Sequence, residues 1–264
     1  MVNVKTLAAI LAVSLLGISL SRAQRGNDFG NYKLIAHRGG VIDSATAENS
    51  LQALEKAVSA GYDRIEIDVR MSRDSVFIVH HDRDLVRYYD INSAVDSLPW
   101  PRIHALKGSI GNRVHTLDEI LAAASGRIKV MVDLKIAGND TTLHGKLVAA
   151  LARYDLLKDA MMIGTEASTG FYRGKIALSC TRQQLEENLK RPDFDPAHYY
   201  LFSSRINAED VQWAADLGIP VVGVINAWAQ RGDRKQEGAA AAKALLAAGV
   251  FMFQIDSMFE GLFR

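Results

Sequence analysis

A single cysteine, Cys180, stands in a chain of 264 residues, so no internal disulfide can brace the fold and stability has to come from a buried core. Neither sign of charge dominates. Thirty-one basic against 30 acidic residues leave a formal net charge of +1, which supplies no field to draw the chain toward nucleic acid or an anionic membrane. There is no repeat of solenoid period and no low-complexity tract. No uninterrupted apolar stretch reaches the roughly 20 residues that span a bilayer, and no basic amphipathic helix or exposed-looking aromatic cluster stands outside the first 23 residues. Partner identity must therefore come from local chemistry.

What is present begins with an address. Lys5 precedes an apolar run from Leu7 to Leu20, and Ser21-Arg22-Ala23 offers small residues at the −3 and −1 positions of a cut before Gln24. Residues 1–23 read as a secretory signal and 24–264 as the mature, exported chain, periplasmic or secreted, with no stable membrane insertion after cleavage. No cysteine lies near the cut, which argues against a lipid-modified N-terminus. With 48% hydrophobic and 23% charged residues, the mature part has the composition of one globular domain. Cys180 ends an apolar run and reads as a buried, inert thiol.

Short apolar runs then alternate with segments of helical period. Strands are predicted at 33–37, 64–69, 128–134, 160–163, 175–179, 199–203, 220–225 and 251–256. Between them, Leu51, Leu54, Ala57 and Val58 share a helix face that Gly61 ends. Thr116 to Glu119 and Thr181 to Gln184 have capping-box spacing, Asn207 caps a helix ended by Gly218, and the Ala-rich run from Gly238 closes at Gly249. Eight strands nearly all followed by helices predict an α/β protein, a (β/α)8 TIM barrel. An open doubly wound sheet is disfavoured because His37-Arg38-Gly39-Gly40 replaces the Gly-rich phosphate fingerprint after the first strand. Val76 to His81 follows the second strand after a tight turn and suits an antiparallel hairpin partner. Residues 83–115 show no clean period and predict an insertion over the barrel mouth, with Tyr88, Tyr89 and Trp100 expected to choose the substrate.

The ionisable residues that end strands are His37, Glu66, Asp68, Asp133 and Asp256, with His81 ending the hairpin. In such a barrel these ends converge on one mouth. Glu66 and Asp68 are i and i+2 on one strand and project side by side, and two carboxylates so placed call for a cation. Adding Asp133 gives three hard oxygen ligands without paired cysteines, which suits Mg²⁺ or Ca²⁺ better than zinc. Taken singly, Glu66 and Asp68 might pair with Arg64 and Arg70, and Asp133 with Lys135. The conjunction is what carries meaning. By strand alternation His80 should face away from His81.

In these residues the chain resembles the glycerophosphodiester phosphodiesterases. Their opening His-Arg-Gly appears as His37-Arg38-Gly39, and their Pro-Glu-Asn-Thr is similar to Ala47-Glu48-Asn49-Ser50. Their Glu-x-Asp-Val element appears as Glu66 to Val69, with the family's His-Asp pair at His81-Asp82, thirteen residues after Asp68. The third acidic ligand with a lysine two positions on matches Asp133 and Lys135, and Gly249-Val250 leading to Asp256 looks like the last barrel strand. Three departures stand out: Ala47 replaces a proline, Asp133 replaces the usual glutamate and is one methylene shorter, and Ser257-Met258 follow Asp256 instead of a proline.

The resemblance implies metal-dependent hydrolysis of a small glycerophosphodiester to an alcohol and glycerol 3-phosphate. One divalent cation, Ca²⁺ or Mg²⁺, would be held by Glu66, Asp68 and Asp133. Arg38 and Lys135 would bind the phosphate, and His37 and His81 would share acid and base roles. Two other readings are weighed beside it. A phospholipase D-like enzyme acting on intact lipid head groups would need a membrane-docking surface, and a non-catalytic exported barrel that captures phosphorylated ligands would be expected to lose one of the five key side chains. A metal-free isomerase or aldolase lacks support, because no lysine ends a candidate strand as a Schiff-base former.

Overall fold

The computed structural model describes residues 29–264, so the signal segment 1–23 lies outside the described residues. Eight parallel strands close on themselves: β1 (Lys33–Ala36), β2 (Arg64–Met71), β3 (Lys129–Leu134), β4 (Met161–Ile163), β5 (Ala177–Cys180), β6 (Tyr199–Ser203), β7 (Val221–Ile225) and β8 (Met252–Ile255). Each pairs with the next in sequence, and β1 pairs with both β2 and β8, which completes the barrel. All eight coincide with the predicted runs to within a residue or two at each end.

Side-chain alternation divides every strand between two environments. On β2, Ile65, Ile67 and Val69 point outward into the core shared with the helices, while Glu66 and Asp68 point inward. Ile35, Met131, Met161, Tyr200, Val222 and Met252 form a separate apolar cluster inside the barrel. Each fully buried aliphatic side chain contributes about 1.5–3 kcal/mol, so the two cores can carry the fold without a disulfide. Cys180 is buried, and burial pushes its thiol up to about 11, in keeping with an inert role.

The helix signals are realised locally. Ser50 caps Leu51–Ala60 by accepting from the Ala53 N–H, and Gly61 ends it with φ +84°. Both ends of the capping box are made by Thr116 with Glu119 ahead of Leu117–Ala124, by Thr181 with Gln184 ahead of Arg182–Asn188, and by Asn207 with Asp210 ahead of Ala208–Asp216. The last long helix is Arg234–Ala247, four residues longer at its start than the Ala-rich run suggests, because Asp233 caps it. A further helix, Thr141–Arg153 capped by Asp140, fills the β3–β4 connection. Among the described residues no helix is long and apolar enough to cross a membrane.

After β2 the chain turns back as Phe77–Val79, antiparallel to β2, and His115–Thr116 adds antiparallel to that. Between them, residues 83–115 form a folded subunit of the barrel rim. Asp84–Leu85 pairs with Ile91–Ala94, short helices span Val86–Tyr89 and Trp100–His104, and Ile78, Leu85, Val95, Ile103 and Val114 make a small core. Tyr89 and Trp100 pack against this small core, which corrects the expectation that both would face a substrate. Elements of two to five residues are too short to display a period, so this order was invisible in the pattern.

Candidate active site

The first strand ends in a left-handed turn. Arg38 has φ +55° and ψ +48°, a left-handed conformation that costs an L-residue about 1–2 kcal/mol. Two hydrogen bonds hold it there: the Arg38 N–H donates to Glu66 Oε2 at 2.7 Å, and the Arg38 carbonyl accepts from the Asn49 N–H at 2.7 Å. At Gly39, φ is +86° and a Cβ would lie 2.6 Å from the Asn49 Cα, so the motif's glycine is needed for both conformation and space.

Glu66, Asp68 and Asp133 each present a carboxylate oxygen within 4.8 Å of the others. Strand register explains this, since Asp68 is the direct partner of Asp133 and Glu66 of Met131. Asn49 fixes Asp68 from the side: its Nδ2 donates to Asp68 Oδ2 at 2.9 Å, and its Oδ1 accepts from the Asp68 N–H at 3.2 Å. Asn49 belongs to the second motif, but its part in the site was not read from the sequence. Arg64 and Arg70 are engaged elsewhere. Arg64 binds Asp63 and the Asp159 carbonyl, and Arg70 donates twice to the His81 carbonyl, so neither makes an ion pair with Glu66 or Asp68, although the Asp68 charge acts on Arg70. Lys135 does lie over the cluster, with Nζ 2.6 Å from Asp133 Oδ2 and 3.4 Å from Asp68 Oδ1.

Burial, followed by the Asp68 and Asp133 charges, drives the Glu66 carboxyl well above the usual range. Burial also raises Asp133 against the pull of Lys135. Burial works against the Lys135 ammonium, but Asp133 and Asp68 outweigh it and hold its pKa above the ordinary value. Glu66 Oε1 and Asp68 Oδ1 are buried without a hydrogen bond; the Lys135 contact to the latter lacks hydrogen-bond geometry. Two buried carboxylate oxygens with open lone pairs, beside a third carboxylate, fit the donor set of a hard divalent cation.

Both histidines reach the same rim, each oriented by an aspartate. His37 Nδ1 lies 2.6 Å from Asp256 Oδ1, and its Nε2 is directed toward Glu66 Oε2 at 3.9 Å. His81 Nδ1 lies 2.8 Å from Asp82 Oδ1, and its Nε2 is 3.1 Å from Arg38 Nη2. A guanidinium has no acceptor, so His81 Nε2 must carry the lone pair and Nδ1 the proton. Asp256 also accepts from the Ala227 N–H at 2.5 Å; burial alone would raise its carboxyl, but the His37 contact and this N–H bring it below the usual range. His80 faces away, as alternation predicts. Its Nε2 meets the Asp84 carbonyl at 2.8 Å, and burial lowers its pKa.

A closed loop of contacts ties this rim to the insertion. Arg38 Nη1 donates to Glu48 Oε2 at 3.0 Å, Arg87 binds both oxygens of Glu48, Arg87 Nε donates to Asp82 Oδ2 at 2.6 Å, and Asp82 returns to His81. Glu48, Asp82 and Arg87 were not singled out for this role. The adjacency of His81 and Asp82 was the available signal for one of them, and nothing local marks Arg87.

The class defined by this arrangement is a closed parallel barrel with an acidic triad and two aspartate-held imidazoles at its C-terminal rim. The model of the glycerophosphoryl diester phosphodiesterase family matches residues 37–181, more than half of the chain, and the chain belongs to that family. The probable glycerophosphodiester phosphodiesterase 2 of Mycobacterium tuberculosis H37Rv is 34% identical over 103 residues, covering 39% of this chain and 38% of that protein. The human lysophospholipase D GDPD1 is 26% identical over 136 residues, covering 47% and 42%. The chain thus spans about two fifths of the length of these relatives. The structure of an Oleispira antarctica phosphodiesterase in complex with the product sn-glycerol-3-phosphate shares the fold, with a TM-score of 0.67 over 87% of this chain and 96% of that one at 19% identity.

Proposed function

We propose that this protein is a phosphoric diester hydrolase that cleaves glycerophosphodiesters to an alcohol and glycerol 3-phosphate, using one divalent cation, Ca²⁺ or Mg²⁺. The observation that carries the reading is the pair of His–Asp contacts facing three clustered carboxylates, two of which have buried oxygens without hydrogen bonds. Family membership and the product named in the Oleispira complex support the same substrate class.

Glu66, Asp68 and Asp133 would hold the cation, with Asn49 keeping Asp68 in place. A bound dication supplies charge neutralisation and Lewis acidity for the phosphoryl oxygens. Arg38 offers a fork of donors and Lys135 a point charge to the non-bridging oxygens. To do so, Arg38 exchanges its contact with His81 Nε2 for one with the phosphate, which frees a lone pair beside the diester. Asp256 and Asp82 keep both Nδ1 protons in place, so each imidazole presents Nε2 to the reaction. One histidine takes a proton from the attacking water, or from a neighbouring substrate hydroxyl whose attack forms a cyclic phosphodiester that water then opens with the two roles reversed, and the other delivers a proton to the departing alkoxide.

The test is a panel of soluble glycerophosphodiesters assayed for released alcohol and glycerol 3-phosphate, with and without EDTA. Chelator-sensitive release supports the proposal; absence of release from every member with Ca²⁺ and Mg²⁺ supplied overturns it. Replacing His37 or His81 by Ala should cost about 10²–10⁴-fold in rate, and a variant near the parent rate would remove that residue from the mechanism.

One observation favours a second reading, hydrolysis at the head group of lipids. Trp228 is 68% exposed and sits next to Ala227, whose N–H binds Asp256 at the rim. A single exposed indole there is a feature the sequence reading missed, and it gives lipid a place to touch. Head-group release from lysophospholipid micelles or liposomes, compared with release from soluble diesters, separates the two. The leader-like residues 1–23 support export to the periplasm or beyond, testable by mass spectrometry of the mature N-terminus.

A further inference from the structure

A cavity of about 380 Å³ opens beside the acidic triad, between the ends of β2 and β3 and the insertion. Arg70, Arg83 and Lys135 line it, against one acidic side chain, Asp96; Val95 and Ile136 are among its apolar walls. The three cations differ in what already occupies them. Lys135 is committed to Asp133. Arg70 spends Nε and Nη2 on the His81 carbonyl and makes no direct ion pair, although the charges of Asp68, Asp82, Asp133 and Asp96 act on it. Arg83 is exposed, and its guanidinium makes no hydrogen bond or ion pair among the described residues. Among the lining side chains the unpaired positive charge is that of Arg83, and the cleft adjoins the scissile site through Lys135, which is shared by both.

We propose that this cleft is a subsite for a second anionic group, a phosphate or carboxylate, carried on the alcohol half of the diester. The proposal rests on the hydrolytic reading above. With Lys135 at the scissile phosphate, the alcohol would run along the apolar wall and bring its distal anion to Arg83 and to the free Nη1 of Arg70. The balance between Arg83 and Asp96 narrows the choice, since a cationic head group gains one carboxylate but meets the unpaired Arg83 guanidinium with Arg70 beside it. The enzyme would thus prefer anionic alcohols and discriminate against quaternary ammonium ones.

A matched pair of probes isolates the second anion: glycerophosphoinositol and glycerophosphoinositol 4-phosphate, which share every atom except the ring phosphate. The expected result is a kcat/KM ratio of about two- to fivefold in favour of the phosphorylated diester at low salt, as a partly exposed charge pair gives. The ratio should fall toward one in R83Q, invert in R83E, and shrink as salt is raised, because the contact is screened. Arg83 is on the surface, so neither substitution threatens the fold. A ratio near one in the parent protein, or a ratio unchanged in R83E, overturns the subsite while leaving the hydrolytic reading intact. Cleavage of neither probe while another soluble glycerophosphodiester is released overturns the subsite alone; no release from any diester with Ca²⁺ or Mg²⁺ supplied removes the hydrolytic reading as well.

Discussion

Asp68 and Asp133 stand directly opposite each other in the register of two neighbouring parallel strands, 65 residues apart in the chain. Like charges at such a separation, about 5 Å, repel by about 3 kcal/mol at an effective dielectric near 20. Lys135 offsets part of this, and a dication would offset the rest. Adding Ca²⁺ or Mg²⁺ at about 100 times Kd should therefore stabilise the protein by about 2.7 kcal/mol, a rise of about 5–10 °C in Tm. The Asp133→Asn variant should lose that shift, while its melting temperature in EDTA stays equal to or above that of the parent. A melting curve indifferent to both ions and to EDTA would sink the metal assignment.

Asp256 orients His37 from the end of the last barrel strand, a contact spanning 219 residues. Asp256→Asn removes the fixed acceptor for the Nδ1 proton and lets the ring take the wrong tautomer. Turnover should drop by at least about 10²-fold, with KM little changed. The same carboxyl also carries a stability signature. Its folded pKa is depressed, so its contribution is present above the unfolded value of 3.8 and is lost as pH falls through the lower folded value. The variant should accordingly show a shallower loss of Tm on acidification below about pH 4. An acid limb identical to the parent's would contradict this.

Arg87 binds Glu48 and Asp82, the two carboxylates that hold Arg38 and His81. It touches no substrate in this scheme and acts through its partners as a positioning residue. Arg87→Ala should lower kcat about ten- to a hundredfold. Guanidinium ion at millimolar concentration should restore part of the rate, and Arg87→Lys should retain less of it than a bidentate group would. Rescue distinguishes positioning from a folding defect, because a loosened insertion would not respond to a small cation. Failure of rescue with an unchanged Tm would argue that the ring of contacts is incidental.

Much of this is legible in the sequence. Barrel strands are buried on both faces, so they read as short apolar runs, and the only charged residues such runs tolerate at their ends are ones with work to do. Glu66 and Asp68 were visible for that reason, as were His37 and Asp133. What stayed hidden depends on distance in the chain. The facing of Asp68 and Asp133 is set by barrel closure, and the link from Arg87 to Glu48 joins a rim insertion to the loop before the first helix. Asn49 is visible in the sequence as part of the second motif, but its two bonds to Asp68 require the left-handed turn at Arg38 to bring the loops together. The insertion's order was hidden by the brevity of its elements.

Trp100 illustrates how that last gap changes an expectation. As an aromatic in a long connection it invites a role in choosing the alcohol, yet its side chain packs on the insertion's own apolar cluster and lies 5.0 Å from the His104 ring. Its backbone N–H donates to Asp74 Oδ1 at 2.8 Å, which ties the short helix to the hairpin turn. Tyr89 is similar, packed near His80 with its hydroxyl accepting from Asn112 at 3.3 Å. Trp100→Ala should therefore cost stability, about 2–4 kcal/mol for a partly buried indole, without altering the ratio of rates between diesters of different alcohols. Tyr88 differs from both. It lies under the Arg87 guanidinium at 4.6 Å, so Tyr88→Ala should move kinetics in the same direction as Arg87→Ala and leave Tm nearly unchanged. Measuring Tm and relative kcat/KM on both variants decides between the two roles: a selectivity change in Trp100→Ala with an unaltered Tm would put the indole at the substrate after all.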